Sequence, residues 1–137
     1  MVASVLPWTL SAAGGASGAR QAANSFGRAL TSANLEPLRS VLPAEGKVRL
    51  KLVRLGPEDG WFGPAQVEAI FRDFLAEGGV DAFEVVRVEG DDRSTSLVQG
   101  RASVTDRSGR VSRVRLHMSF ESEADRWVLR EIKELRE

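Results

Sequence analysis

The sequence predicts a small α+β domain, and two patterns carry that prediction. Residues 94–137 contain three stretches of period-two alternation separated by two short turn segments, as expected of antiparallel strands with one apolar face. Pro64–Glu77 sets Val67, Ile70, Phe71, Phe74 and Leu75 at i, i+3, i+4, i+7 and i+8, an apolar helical stripe that needs a surface to cover. With 137 residues, 42% of them apolar, the chain suits one domain with a sizeable core.

The elements follow in order. Met1–Ala19 has no charged side chain: an apolar run, Val2–Leu10, is broken by Pro7 and gives way to the small-residue tract Ser11–Ala19. Ser17-Gly18-Ala19 has the small-x-small form of a signal cleavage site, but the positive n-region is missing. The segment is therefore either an export remnant, implying a periplasmic or extracellular protein, or a flexible leader that leaves the cytoplasm open. In both cases it is expected outside the core, with residues 20–137 as the domain.

From Arg20 the spacing of Ala22, Phe26, Ala29, Leu30 and Ala33 predicts a helix. Asn34 is placed to cap a second, Leu35–Leu42, with Pro37 in its first turn and Pro43 ending it. Lys47–Leu55 alternates Lys47, Arg49 and Lys51 against Val48, Leu50 and Leu52, a strand with one wet face. Gly56–Gly60 reads as a loop. The helix Pro64–Glu77 has Pro64 at its first position and Gly78-Gly79 as an expected left-handed stop. Asp81–Glu89 puts Phe83 and Val85 on one parity and Val86 and Val88 on the other, so this strand is buried on both faces or bulged.

The last three strands specify their own register. Val98, Gly100, Ala102 and Val104 must face the apolar Val114, Leu116, Met118 and Phe120, which sets Gln99 opposite His117 and Arg101 opposite Arg115 on the outer face. Asp106-Arg107-Ser108-Gly109 is turn chemistry. In the final strand Trp127 and Leu129 differ in parity from Ile132, which a β-bulge near Arg130 would reconcile.

Composition excludes several functions. Lys plus Arg equals Asp plus Glu at 19 each, so there is no general attraction to nucleic acid or anionic membrane. No run approaches the roughly 20 apolar residues of a membrane span. Without cysteine there is no disulfide, thiolate nucleophile or thiolate metal site. No serine-nucleophile elbow or phosphate loop is present. His117, the only histidine, could form an acid/base pair with Glu131, but its wet-face neighbours Arg115 and Ser119 favour a surface ion pair. No metal and no cofactor is expected.

The element order resembles the nuclear transport factor 2-like superfamily. The resemblance runs through Gly60-Trp61-Phe62-Gly63-Pro64-Ala65-Gln66-Val67, Ile70–Leu75, Phe83–Val86 and the terminal strands ending Trp127–Ile132, and covers residues 20–137. It is nearest to small uncharacterised bacterial members. The resemblance implies a cone: a curved antiparallel sheet wrapped around two to three helices, with a pocket inside and often a homodimer through the outer sheet face. It also implies a choice between enzymes, such as ketosteroid isomerases, cyclases and dehydratases, and pure binding modules. Isomerase chemistry of that type uses an Asp base with Tyr and protonated Asp donors. This chain has no Tyr, and Lys47–Leu55 holds no acid.

The expectation is thus a non-catalytic binding or interaction domain, homodimeric, with room for a small apolar or acidic ligand; the alternative is a cyclase- or isomerase-type enzyme acting on an apolar carbonyl compound. Candidate ligand contacts are Trp61, Phe62, Phe74, Met118 and Arg130, with Arg130 the polar anchor if it points inward. Trp61 and Phe62 either line a pocket mouth or staple the helix entry onto the core, and the staple is favoured because large aromatics are mostly packing devices. Arg101, Arg113, Arg115 and His117 are candidate interface residues, because opposed arginines call for an anion, a partner's carboxylate, or neighbours such as Glu121 and Glu131.

Overall fold

The computed structural model describes residues 16–90 and 94–136. Helix α1 (Ala16–Ser32) and a single turn α2 (Glu36–Arg39) precede strands β1 (Val48–Lys51) and β2 (Asp59–Phe62); helix α3 (Pro64–Glu77) leads into β3 (Gly79–Glu89), β4 (Thr95–Thr105), β5 (Val111–Glu123) and β6 (Arg126–Arg136). The six strands form one sheet in the order β2-β1-β6-β5-β4-β3. All neighbours are antiparallel except β1 and β6, which run parallel, so the sheet is mixed rather than purely antiparallel.

The β4–β5 register is the one that apolar matching requires: Val98 pairs with Met118, Gly100 with Leu116 and Arg101 with Arg115. The turn between them is closed by Asp106, whose Oδ1 accepts from the Ser108 N–H, the Ser108 hydroxyl and the Arg110 N–H at 2.9, 2.7 and 3.0 Å. Gly109 supplies the positive φ. The bulge in β6 falls on Arg130, since Phe120 pairs with Leu129 and Ser119 with Glu131. Strand β3 is bulged at Asp81 and Val86, which brings Phe83, Val85 and Val88 against the core and leaves Val86 exposed.

Phe83 locks α1 to the sheet. Its ring fills a slot between Gly27 of α1 and Gly100 of β4; a Cβ built at Gly27 would come within 2.1 Å of the ring, and one at Gly100 within 3.1 Å. Phe26 stands edge-on to Phe71 and Phe83, with ring centroids 5.5 and 6.1 Å apart. A glycine inside a helix costs stability, and here the close approach of Phe83 requires it.

Several boundaries differ from expectation. The core begins inside the small-residue tract, with α1 helical from Ala16 and Ala19 fully buried, while Ala33 leaves the helix with φ 55°. The second helix shrinks to one turn, with Asn34 Oδ1 accepting from the Glu36 N–H at 3.1 Å. Strand β1 ends at Lys51 and the expected loop ends in a strand of its own, because Asp59–Phe62 pairs back onto Val48–Lys51. Gly78 is extended, not left-handed; it is glycine because a Cβ would lie 2.6 Å from the Thr105 carbonyl oxygen.

Candidate functional site

The cone interior is filled. Phe26, Leu50, Phe71, Leu116, Met118, Phe120, Leu129 and Ile132 are each at most 1% exposed, and no buried side-chain N or O among the described residues lacks a partner. Among the described residues one acid points into it, Glu134, on the inner parity of β6. Its Oε1 accepts from the backbone N–H groups of Val53, Arg54 and Leu55 at 2.9, 2.9 and 3.1 Å, and Oε2 accepts from Arg54 at 2.9 Å. This carboxylate holds the turn after β1, with Oε1 shared among three N–H groups and Oε2 on the Arg54 N–H. Sequence reasoning passed over Glu134, although a charged residue on the buried parity of a strand is itself a signal of a satisfied network.

The expected pocket residues are scattered. Met118 is sealed in the core. Phe62 packs against the core from β2, but Trp61, one residue earlier, lies on the opposite sheet face, 63% exposed, with the Arg49 guanidinium 6.0 Å from its ring centre. Arg130 does not point inward: as the bulged residue it donates to Glu121 at 2.8 Å, Glu123 at 3.1 Å and the Glu45 carbonyl at 3.1 Å, so it clamps the β5–β6 end to the segment after α2. Of the five, Phe74 lines the hollow at the end of the cone, and Met118 borders a shallow depression on the outer face.

That hollow, of about 340 Å³, lies at one end of the cone, between the C-terminal end of α3, the β1–β2 connection and the β4–β5 turn. Its floor is Gly56, Pro57, Ile70 and Phe74, and charged side chains stand around it.

The outer sheet face is the other open surface. Reading across the strands, one row runs Glu89, Leu97, Ser119, Glu131, Arg49, Trp61 and the next Arg87, Gln99, His117, Lys133, Lys51, Asp59. A third row carries Glu84, Arg101, Arg115 and Leu135. The register sets His117 opposite Lys133 and Glu131 opposite Ser119, which removes the expected His117–Glu131 pairing; the Arg130 bulge shifts the strand. Arg101 reaches Glu84 at 3.8 Å, whereas Arg113 and Arg115 form no ion pair among the described residues. Leu97, in the first row, is 55% exposed. A depression of about 260 Å³ here is lined by Leu97, Gln99, His117, Ser119, Glu131 and Lys133. The two ends of the face differ: toward the β4–β5 turn stand Arg101, Arg113, Arg115 and Lys133 with Glu84, whereas toward the other end Glu89, Glu121, Glu123 and Glu131 are accompanied by Arg87, Arg130 and Arg49, with Arg87 on Glu89 and Arg130 on Glu121 and Glu123.

Elsewhere, Glu68 holds Arg39 and Arg72 at 2.8 and 2.7 Å, and its carboxyl is lowered chiefly by the Arg39 hydrogen bond. Asp59 is lowered likewise by Arg49, at 2.6 Å. Both pairs are exposed and secure local geometry. No cluster of three His or acidic side chains suited to a metal occurs among the described residues, and none of their helices is long and apolar enough to cross a membrane.

No protein-family model and no curated protein matches the sequence. Solved structures do match the fold. An NTF2-like protein from Anabaena variabilis superposes with a TM-score of 0.68 at 17% identity, covering 85% of this chain and 84% of that one. An LEH-like epoxide hydrolase from M. tuberculosis gives 0.64 at 14% identity, covering 88% and 79%. A putative calcium/calmodulin dependent protein kinase II association domain from Xanthomonas campestris gives 0.58 at 17% identity, covering 83% and 81%. The chain has the nuclear transport factor 2-like fold, and at these identities the likeness is one of fold alone.

Proposed function

We propose that this protein is a non-catalytic interaction domain that forms a homodimer through the outer face of its sheet. The observation that carries the proposal is the contrast between a cone interior packed shut and an outer face left open. Among the described residues the one acid inside, Glu134, holds three backbone N–H groups and has no second titratable side chain beside it to form an acid/base pair. His117 and Arg130, the residues on which an enzyme reading depended, lie outside that interior. The epoxide hydrolase of the same fold shows that the scaffold accommodates catalysis, but this chain offers it no inward acid/base pair.

The outer face suits a second copy of itself. A two-fold axis lying between two such faces and running across the strands reverses strand direction, so the basic end of one copy meets the end of the other that carries Glu131. Arg115 and Lys133 then approach Glu131 of the partner subunit, and Leu97 is covered near the centre. Association between such charged faces gains specificity and rate from charge, with the apolar centre supplying contact area. The association domain of the same fold is precedent for a scaffold used to bring chains together.

Native mass spectrometry tests the proposal. The expected spectrum is a dimer of bare subunits that becomes monomer in Leu97→Lys. A monomer in the wild type, at concentrations well above those of the cell, would overturn it.

A further inference from the structure

We infer that the hollow at the end of the cone is a binding site for a small apolar molecule bearing a cationic amine. This site is separate from the outer face and does not depend on self-association. Its volume of about 340 Å³ falls at the small end of ligand sites, which run from about 300 to 1,000 Å³. Its floor is apolar: Ile70 and Phe74 from α3 meet Pro57, and Gly56, with φ +109°, turns the backbone over them in a conformation that other residues rarely adopt. Phe74 and Ile70 are only half buried, unlike Val67 and Phe71 one turn earlier, so the hollow exposes apolar surface that the core does not use.

The electrostatics choose the sign of the ligand. Arg107 is neutralised by Glu77 at 2.7 Å. Asp106 spends one oxygen on its own turn, yet its charge remains, and its carboxyl is held low first by the Ser108 hydroxyl and then by the Arg110 N–H. Glu58 and Asp73 form no ion pair among the described residues, and Arg54 at the rim offsets only one of these negative charges. The hollow also receives the C-terminal end of α3, the negative pole of its dipole, and the last turn of that helix contains no basic residue. An ammonium group in the hollow would enter a lining that carries Asp73, Glu58 and Asp106, with its apolar body against Phe74 and Ile70. An acidic ligand would find Arg54 at the rim but also the carboxylates of Glu58, Asp73 and Asp106, and Arg130 is bound to Glu121 and Glu123 elsewhere.

The test is an NMR titration of the full chain with three probes of one shape: 2-phenylethylamine, 2-phenylethanol and phenylacetate. The expected result is saturable shifts of amides at 56–58, 73–78 and 106–107 with the amine, weaker ones with the alcohol and none with the acid. Asp73→Asn combined with Glu58→Gln, both surface changes, should weaken amine binding by about tenfold or more while leaving the rest of the spectrum in place. Absence of saturable shifts with any probe would overturn the inference. So would phenylacetate binding as tightly as the amine, or amine affinity unchanged in the double variant.

Discussion

The two faces of the sheet are made by the same strands, one residue apart, and behave oppositely. On β5, Val114, Leu116, Met118 and Phe120 are buried to within 1% while Arg113, Arg115 and His117 stand in solvent. Among the described residues, every buried side-chain N and O has a partner, whereas on the outer face Arg113 and Arg115 form no ion pair and Leu97 is exposed. A period-two element separates stability from function in this way: side chains of one parity can be changed for partners without disturbing the packing of the other.

The largest effects should come from inside. Phe71→Ala removes a fully buried ring that touches Phe26 and should cost about 3 to 5 kcal/mol in a urea melt. Phe74→Ala, from the half-buried rim, should cost about half that. Equal losses would mean that the end hollow is closed in solution. Next comes Glu134→Gln, which keeps one acceptor oxygen for the N–H groups of Val53–Leu55 but loses the charge and sets an NH2 where Oε2 accepts from Arg54, and should cost roughly 1.5 to 3 kcal/mol. A loss below a third of that would mean that water serves these groups as well as the carboxylate does.

Outer-face changes should lie at the other end of the scale. Leu97→Lys should move monomer stability by no more than about 0.5 kcal/mol, the usual range for a surface site, while abolishing association. The smallest effect concerns Asp106. Its carboxyl is held below the ordinary value, so its contribution is present above a pH of about 4 and is lost as the pH falls through the lowered value. The difference in melting temperature between wild type and Asp106→Asn should therefore shrink in acid. A difference constant from neutral pH down through that window would mean that the charge plays no part in the turn.

Much of the fold was legible because it rests on local periodicity. The α3 stripe, the β4–β5 register and the β6 bulge follow from alternation alone, since a slip by one residue would bury Arg113 and Arg115. Strand β2 was not legible: Asp59–Phe62 is too short to show a period, and it exists because Val48–Lys51 offers an edge to pair with. The site was less legible still. Whether Arg130 points inward depends on which residue is bulged and which acids lie within reach, and Glu121, Glu123 and the Glu45 carbonyl come together only in three dimensions. The end hollow joins residues from three segments far apart in sequence, with no motif to announce it.

The central claim is that the outer face is the working surface and that its charges are arranged for a second copy. Sedimentation velocity on wild type, Arg115→Glu and the swap Arg115→Glu/Glu131→Arg tests it most directly. The account predicts a dimer, a monomer and a restored dimer, in that order. A wild-type monomer, or a dimer indifferent to Arg115→Glu, would contradict it.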